Sequence, residues 1–337
     1  MTALTDATQC DASAVPTAER ETVACPLCAT EATEPVLRKQ DRYGSNEWFD
    51  VVRCTGCGLM RVNPRPPGAA IARYYNDTYS WKADEPVQGL LPRMIHGAEH
   101  WYRFHLLRYE ARKVLRFCRP RPGAEVLDVG CGSGDRLLVY RELGLEPYGV
   151  EISSAAAYAR DHLGLRVRCG TLRTAAYEND QFDLVTLYNV LEHLHEPNEE
   201  LDEIHRILRP GGCLVIEVPN ADCLQFRLFG ARWSALDVPR DLAYWTVPRL
   251  RRMMDKHRFE VTRVDQWTSW LHPPMIVLTL CPGLDPRRVW AEAAGGGGQG
   301  IVSRALWGAM TLLTPPITFV ESLVGRGSSM VFYARKA

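Results

Sequence analysis

From residue 124 onward, the chain alternates short apolar runs with longer stretches in which apolar residues recur every three or four positions. Short apolar runs predict strands, and the longer period predicts amphipathic helices. The predicted strands cover residues 125–129, 147–151, 166–169, 182–188, 212–218, 259–266 and 330–334. The predicted helices between them cover residues 135–143, 153–163, 198–208 and 247–257. This alternation is typical of an α/β fold with a mostly parallel sheet and helices on both faces.

The chain before residue 124 lacks this rhythm. Residues 1–20 are rich in Thr, Ala and Asp and predict a disordered tail. Residues 21–65 hold two cysteine pairs and little helical periodicity, which predicts a small zinc-ribbon-like module. Residues 66–122 are rich in aromatics and predict a helical connector or lid, with one helix over 100–117. The rest, 123–337, is predicted to be one domain with an apolar insertion at 268–328.

Composition and charge exclude some classes of protein. Hydrophobic residues make up 46% of the chain and charged ones 24%, as in globular proteins that bury a core. Lys+Arg and Asp+Glu both total 40, so the formal net charge is zero. A nucleic-acid partner is therefore disfavoured, because binding through phosphates depends on clustered positive charge. The first residues do not form a basic segment followed by an apolar run, so the chain is expected to be cytoplasmic.

The most informative motif is a strand that runs directly into three glycines at alternate positions, Gly130, Gly132 and Gly134. Glycines let a backbone approach a ligand closely, and the helix that follows presents free N–H groups. Dinucleotide-binding loops space their last two glycines differently, as GxxG. Here the loop is preceded by Asp128 in the strand, and the next strand ends at Glu151. An acid at that strand tip can accept hydrogen bonds from both hydroxyls of a ribose.

With these features the sequence resembles the class I S-adenosylmethionine-dependent methyltransferases. The resemblance covers residues 123–266 and the last strand, and includes the stretches Tyr-Asn-Val-Leu-Glu-His-Leu at 188–194 and Leu-Arg-Pro-Gly-Gly at 208–212. It implies a Rossmann-like seven-stranded sheet that binds S-adenosylmethionine. Position by position, the implied cofactor site consists of Asp128, Gly130, Cys131, Gly132, Gly134, Glu151, Ile152, Gly170, Thr171, Leu172, Tyr188 and Asn189.

The resemblance also implies a role for each part of this site. The glycine loop and Asp128 would hold the methionine end of the cofactor, and Glu151 would bind its ribose. Residues 170–172 would flank the adenine, while Tyr188 and Asn189 would border the sulfonium.

Two histidines after the fourth strand are candidate catalytic residues. Methyl transfer mainly needs alignment of the partners and exclusion of water, but a hydroxyl acceptor also needs a base. His193 and His195 follow the strand at the edge where such sheets bind ligands. The alternative is that either histidine only caps a helix or bonds a loop. Asn189 stands where some quinone-pathway methyltransferases carry a cation-binding carboxylate, so catalysis is expected to need no metal.

Residues 233–242 resemble a subgroup of small-molecule methyltransferases. That subgroup usually shows Pro-Arg-His before an aromatic-Thr step and the next helix. This chain has Asp241 at the position of the histidine, so the sequence assigns no catalytic role there.

Two cysteine pairs predict a metal site. Cys25 and Cys28 form one CxxC, Cys54 and Cys57 form another, and twenty-five residues separate the pairs. Four thiolates on two turns suit tetrahedral zinc, and a closed shell of this kind is structural rather than catalytic. A redox role is the alternative, but neither pair sits at a strand–helix junction. The other cysteines are expected to be free buried thiols.

The sequence therefore predicts a methyltransferase with a small-molecule acceptor, such as a secondary metabolite, a sugar or a lipid-like compound, and favours O-methylation. The alternatives are an RNA methyltransferase whose zinc ribbon binds nucleic acid, and a non-catalytic scaffold that binds the cofactor. The apolar insertion is expected to pack over the substrate pocket, with contact to a membrane surface as the minority hypothesis. No pattern in the chain specifies an oligomeric state.

Overall fold

The computed structural model describes residues 19–43, 45–75, 90–266, 273–285, 306–310 and 313–337. The strands are β1 (Thr33–Gln40), β2 (Trp48–Cys54), β3 (Met60–Val62), β4 (Glu125–Val129), β5 (Glu146–Glu151), β6 (Arg166–Cys169), β7 (Phe182–Tyr188), β8 (Leu208–Pro219), β9 (Ala243–Tyr244), β10 (Phe259–Asp265) and β11 (Ser329–Lys336). The helices are α1 (Leu90–Cys118), α2 (Asp135–Glu142), α3 (Ala155–Asp161), α4 (Pro197–Ile207), α5 (Leu224–Phe229), α6 (Val247–Lys256), α7 (Pro273–Leu280) and α8 (Pro315–Leu323).

The large sheet has seven strands in the order β10-β11-β8-β7-β4-β5-β6. Strands β8, β7, β4, β5 and β6 are mutually parallel, whereas β11 is antiparallel to both of its neighbours. The chain leaves β4 toward β5 on one side, and returns later to β7 on the other side. The strand order therefore reverses at β4, and ligands of open α/β sheets bind at the carboxyl ends of the strands at such a point.

Helices cover both faces of this sheet. On one face, Leu201 and Ile204 of α4 and Met253 of α6 pack against Leu187 and Ile216 of the central strands. A second cluster joins helices α1 and α2 to side chains that point to the other face; it includes Ala111, Val114, Val139, Tyr140, Val126, Leu184 and Val215. The central strands are thus buried on both sides, which explains their near-continuous apolar sequence.

The N-terminal sheet has four strands in the order β1-β2-β3-β9. Its last strand, β9, comes from residues 243–244, far along the chain, and pairs Met60 with Tyr244. Leu59, which precedes β3, lies in the same apolar cluster as Trp245 and Leu250 of the large domain. The N-terminal sheet is therefore completed by the large domain and shares its core.

The predicted fold class is confirmed. All seven strands of the large sheet were expected, and their bounds agree within a few residues except for β8, which begins four residues early because Leu208 pairs with Phe182. Helix α1 starts at Leu90, ten residues before the predicted start. The short strand β9 was not predicted, because two residues carry no periodicity.

Several expectations fall wholly or partly outside the described residues. They are most of the tail predicted over 1–20 and much of the insertion at 268–328. Within the described ranges, no helix is both long and apolar enough to cross a membrane.

The expectation of free, buried thiols is wrong for three of the other cysteines: Cys169 is exposed, and two more are bonded to each other. Cys118, at the end of α1, and Cys213, in β8, form a disulfide rather than two free thiols, with Cα atoms 5.7 Å apart. The two residues are 95 positions apart in sequence, so no local spacing could reveal the pair.

The burial of side chains in the core predicts how two substitutions change the free energy of unfolding. Leu214 lies fully buried in β8, whereas Leu228 in α5 exposes 67% of its surface. Leu214→Ala should lower the free energy of unfolding by about 2–5 kcal/mol, because it leaves a cavity in a packed core. The matched variant Leu228→Ala should change it by less than about 0.5 kcal/mol. Urea denaturation measures both, and equal losses in the two variants would contradict the assigned core.

Candidate active site

The loop between β4 and α2 depends on glycine. Gly130 has a φ of +71°, and a Cβ there would lie 2.5 Å from a methyl group of Val190. Gly132 has a φ of +53°, and a Cβ there would meet no protein atom within 4 Å. The N–H groups of Gly130 and Cys131 donate to the carbonyl of Val150 at 2.8 and 3.3 Å. The loop is thus fixed to β5, and its Gly132 side faces open space.

Glu151 lies against this loop at the tip of β5. Its Oε2 accepts a hydrogen bond from the Gly132 N–H at 2.9 Å, and its Oε1 accepts one from the Ser153 N–H at 2.8 Å. Ile152, the next residue, is 70% exposed. The structure therefore brings the acid and the glycine loop together, as the sequence predicted, in the place where a ribose would meet both.

Asp128 lies deeper, within the sheet. Its Oδ1 accepts a hydrogen bond of 2.6 Å from the Thr186 hydroxyl of β7. Burial raises the pKa of Asp128 to about 6, although the Arg136 guanidinium and the Thr186 hydroxyl oppose that rise. Arg136, in the first turn of α2, stacks 3.4 Å from the ring centroid of Tyr188. The Asp128 carboxylate thus links β4 to β7, and its role toward a cofactor stays a prediction.

The turn after β6 reaches the same edge. The Gly170 N–H donates to the carbonyl of Glu151 at 2.9 Å. Thr171 is exposed, whereas Leu172 is buried in the core of the large sheet. Cys131 is 8% exposed in the glycine loop. Of the predicted adenine-flanking residues, Gly170 and Thr171 are therefore the accessible ones.

Asn189 marks the end of β7 with a backbone kink. Its φ is +54°, in the left-handed region that few residues other than glycine adopt. Its N–H donates to the carbonyl of Glu217 in β8 at 2.9 Å. Asparagine adopts this region more readily than most residues other than glycine, so the chain can turn sharply where β7 ends.

The residues at this edge fit S-adenosylmethionine. Open space over Gly132 leaves room for a ligand against the loop, and the Glu151 carboxylate can accept hydrogen bonds from vicinal hydroxyls. The start of α2 supplies N–H groups to a carboxylate. These features lie at the sheet edge where the strand order reverses.

His193 lies beside this edge in a short 3₁₀ helix, Leu191–His193. Its Nδ1 is 3.0 Å from the carbonyl oxygen of Arg240 and 3.1 Å from Oδ1 of Asp241. Both neighbours accept hydrogen bonds, so Nδ1 carries the proton and donates it. The lone pair of the neutral imidazole is then on Nε2. The side chain is 23% exposed, which leaves the ring partly accessible.

Three ionisable side chains meet here. Glu192, His193 and Asp241 each place a polar atom within 4.8 Å of the other two. Burial lowers the pKa of His193, but the hydrogen bond to Asp241 and the charge of Glu192 outweigh it and raise the pKa to about 9. Burial raises the pKa of Glu192 to about 8, with Asp241 and Glu217 adding to the rise and His193 opposing it.

His195 makes different contacts. Its Nε2 lies 3.0 Å from the carbonyl of Pro66, and its own carbonyl accepts a hydrogen bond from Arg65 at 2.8 Å. Burial lowers its pKa. Both contacts tie His195 to the segment that follows the N-terminal sheet. They favour the structural alternative, and the catalytic role of His195 stays a prediction.

Sequence reasoning missed the acidic partners of His193. Asp241 lies in the Pro-Arg-Asp stretch, where the replacement of an expected histidine by an acid was the available signal. Tyr75 belongs to the aromatic-rich stretch 66–122, and its ring packs edge-on against His193 with centroids 6.4 Å apart. Glu192 was part of the Leu-Glu-His motif, but nothing in the sequence indicated its burial.

Known proteins are similar to this chain over part of its length. A family model described as a methyltransferase domain matches residues 101–264. The matched region is a methyltransferase domain of the class I S-adenosylmethionine-dependent type.

Individual relatives of this methyltransferase match over shorter stretches. The ubiquinone biosynthesis O-methyltransferase of Bradyrhizobium sp. (strain ORS 278) is 29% identical over 132 residues, which cover 37% of this chain and 52% of that protein. An uncharacterized 37.1 kDa protein of transposon TN4556 from Streptomyces fradiae is 31% identical over 112 residues, covering 31% of this chain and 32% of that protein. The structure of a geranyl diphosphate methyltransferase in complex with SAM has a TM-score of 0.45 at 15% identity, covering 68% and 85% of the two chains. The chain thus spans about half the length, or less, of these two curated relatives.

The four predicted metal-binding cysteines of this methyltransferase lie together. Cys25 and Cys57 have sulfur atoms 3.5 Å apart, and Cys28 and Cys54 have sulfur atoms 3.4 Å apart. All four sulfur atoms lie within 4.8 Å of one another. Tetrahedral zinc with Zn–S bonds of about 2.3 Å needs sulfur atoms about 3.8 Å apart, so the donor set fits zinc.

The cysteine turns dock on the large domain. The carbonyl of Pro26, between the first two cysteines, accepts hydrogen bonds from Asn198 of α4 and Lys256 of α6, both at 3.0 Å. The carbonyl of Cys57 accepts one from Arg249 at 3.3 Å. The cluster is therefore placed against two helices of the large domain, α4 and α6.

The glycine loop yields a prediction with a matched control. Gly132→Ala adds a methyl group on the open side of the loop, so it should weaken S-adenosylmethionine binding at least tenfold. Gly144, in the turn before β5, also has a positive φ (+82°) and open space around a Cβ. Gly144→Ala should therefore cost similar backbone strain, about 1–2 kcal/mol, without loss of binding. Calorimetric titration with S-adenosylmethionine measures its affinity for each variant, and equal affinities would refute the loop assignment.

Proposed function

We propose that this chain transfers a methyl group from S-adenosylmethionine to a hydroxyl group of a small molecule. The observation that carries the proposal is His193, whose Nδ1 is held by two acceptors so that Nε2 is left as a base at the candidate site. Relatives named as ubiquinone biosynthesis O-methyltransferases support an oxygen acceptor.

The cofactor would supply an activated methyl group on a cationic sulfur. The chain's own residues would then bind, align and deprotonate. Glu151 would hold the ribose hydroxyls, and the kinked backbone at Asn189 would present the end of β7 to the acceptor. Alignment of this kind accounts for much of the rate of a displacement reaction.

His193 would remove the proton from the acceptor hydroxyl through Nε2. The imidazolium that forms is stabilised by Asp241, which accepts the Nδ1–H at 3.1 Å, and by the Arg240 carbonyl at 3.0 Å. These contacts fix the tautomer and the ring orientation, as an acid partner does in other histidine bases. Glu192 beside it stays mostly neutral at pH 7, because its pKa is about 8.

The small-molecule acceptor is supported by the charge distribution. The formal net charge is zero, and arginines of the N-terminal part are engaged in ion pairs: Arg53 with Glu34, Arg65 with Glu21, and Arg73 with Glu47. Such pairs leave less positive charge for phosphates, so a ribosomal RNA substrate is the weaker hypothesis.

We also propose that Cys25, Cys28, Cys54 and Cys57 hold a structural zinc ion. The sulfur distances support this, as do the hydrogen bonds from α4 and α6 to the cysteine turns. The ion would hold residues 21–65 in the shape that docks on those helices. A site of this kind stabilises a segment too small to fold on its own core.

The pH dependence of turnover tests the base. A histidine with a pKa near 9 is protonated at pH 7, when about one molecule in a hundred carries the neutral ring. Turnover should therefore rise about tenfold per pH unit through neutrality and level off near pH 9. His193→Ala should lower turnover at least tenfold and flatten the profile, with cofactor affinity unchanged. Superimposable profiles of the two proteins would refute the base role.

Two further variants sharpen that experiment. Asp241→Asn removes the partner that raises the pKa of His193, so the inflection of the profile should move to lower pH. His162 lies exposed in the turn after α3, and His162→Ala should leave the profile as in the wild type.

Elemental analysis tests the zinc proposal. We expect about one zinc per chain, lost in Cys54→Ser together with several kcal/mol of stability. Cys169 is an exposed cysteine outside the cluster, so Cys169→Ser should keep both metal and stability. A wild-type protein that is equally stable with and without chelator would contradict a structural role.

A further inference from the structure

A buried ion pair joins the N-terminal sheet to the segment that holds His193. The Arg240 side chain is fully buried, and its Nη2 lies 2.7 Å from Oδ1 of Asp41, which follows β1. Arg240 also donates to both carboxylate oxygens of Asp237, at 2.7 and 3.0 Å, and to the carbonyl of Tyr74 at 2.9 Å. The guanidinium is therefore held from the N-terminal part of the chain as well as from its own turn.

Asp41 is itself fixed by the loop that follows it. Its Oδ1 accepts the N–H of Tyr43 at 3.0 Å. Its Oδ2 accepts the N–H of Ser45 at 3.1 Å and the Ser45 hydroxyl at 2.7 Å. The carboxylate is thus oriented by the loop after β1 while it contacts Arg240.

The turn that contains Arg240 also contacts His193, the candidate base. Arg240 offers its backbone carbonyl to Nδ1 of His193, and the next residue, Asp241, offers its carboxylate to the same atom. The turn is closed by the Asp241 N–H, which donates to the carbonyl of Asp237 at 2.8 Å. Fixing the Arg240 side chain therefore fixes both acceptors of the His193 proton.

Net stability does not require such a pair. Two buried charges lose their hydration, and that loss offsets much of their attraction, so an apolar pair of similar size would stabilise the protein about as well. What a charged, hydrogen-bonded pair adds is a defined geometry.

We propose that Asp41 is a positioning residue for His193, acting through Arg240 and its turn. The N-terminal sheet is then part of the catalytic apparatus, because one of its residues sets the orientation of the base. Tyr75, which follows the same N-terminal part, reaches the His193 ring directly. The catalytic meaning of this positioning rests on the proposed function, but the positioning itself can be measured without turnover.

Several ionisable and aromatic groups surround the His193 ring and affect its protonation. The carboxyl groups of Glu192 and Asp241 lie next to the ring, and Tyr75 packs against its edge. Further out, Glu217 acts on Glu192, and Lys39 interacts with Asp237 and Asp241. Asp41→Asn leaves all of these side chains in place, so a change at His193 reports the loss of the buried contact with Arg240.

The experiment is histidine-selective NMR of the full chain, with the His193 signals identified by their absence in His193→Ala. In the wild type, Nδ1 should carry the proton in the neutral ring, and the ring should titrate near pH 9. In Asp41→Asn, the titration should move down by one pH unit or more and the preference for that tautomer should weaken. Unchanged tautomer and titration would overturn the proposal.

Two further variants serve as a control and as an independent test of this result. Asp50→Asn makes the same chemical change in the same sheet, but Asp50 forms an exposed pair with Arg38, so His193 should behave as in the wild type. An equal shift in Asp50→Asn would overturn the proposal. Ser45→Ala keeps the charge of Asp41 and removes one bond that orients it. It should shift the His193 titration in the same direction by a smaller amount, and no shift would count against the proposal even if Asp41→Asn fails to fold.

A double-mutant cycle separates this proposal from the proposed function. Asp41→Asn should lower turnover about tenfold in a chain that retains His193. In a chain that already carries His193→Ala, it should have no further effect. An equal loss in both backgrounds would show a general structural role and overturn the positioning. If His193→Ala alone retains full turnover, the base role fails, while the NMR result still decides whether Asp41 positions the ring.

Discussion

The site depends on the parallel pairing of β4 with β5 on one side and β7 on the other. Parallel strands end at the same edge, so this pairing brings the glycine loop, Glu151 and Asn189 together although they are far apart in sequence. The pairing is stabilised by burial on both faces: Leu127 and Val185 are fully buried on one face, and Val126 and Leu184 on the other. A ligand site at the edge is therefore a consequence of how the core is built.

Local patterns predicted much of this arrangement. The glycine spacing and the acid at the end of the second strand are short-range features, and the structure places them 2.9 Å apart through the Gly132 N–H. The contact between His193 and Arg240 joins residues 47 positions apart, and the pair of Asp41 and Arg240 spans 199. No periodicity encodes such contacts, since they arise only after two sheets have formed. Strand β9 and the disulfide of Cys118 were missed for the same reason.

The charges near His193 act against one another. Burial alone would leave the imidazole neutral, but two neighbouring carboxyl groups make its protonated form favourable. The same positive ring opposes the rise in the pKa of Glu192. Each group thus sets the protonation of the next, and a change in any one of them alters the state of all three.

The strand β9 has a consequence for how the chain can be divided. Residues 243–244 pair with β3, and the backbone of Leu242 bonds both to Val62 and to Glu192. A shortened protein that began at α1 would present this segment as an unpaired edge, with Trp233, Trp245 and Tyr244 stripped of their apolar cover. The N-terminal sheet therefore cannot be transferred alone, because a recipient methyltransferase would need a strand that pairs with β3. Removing the sheet would expose an apolar, aggregation-prone surface beside the candidate base.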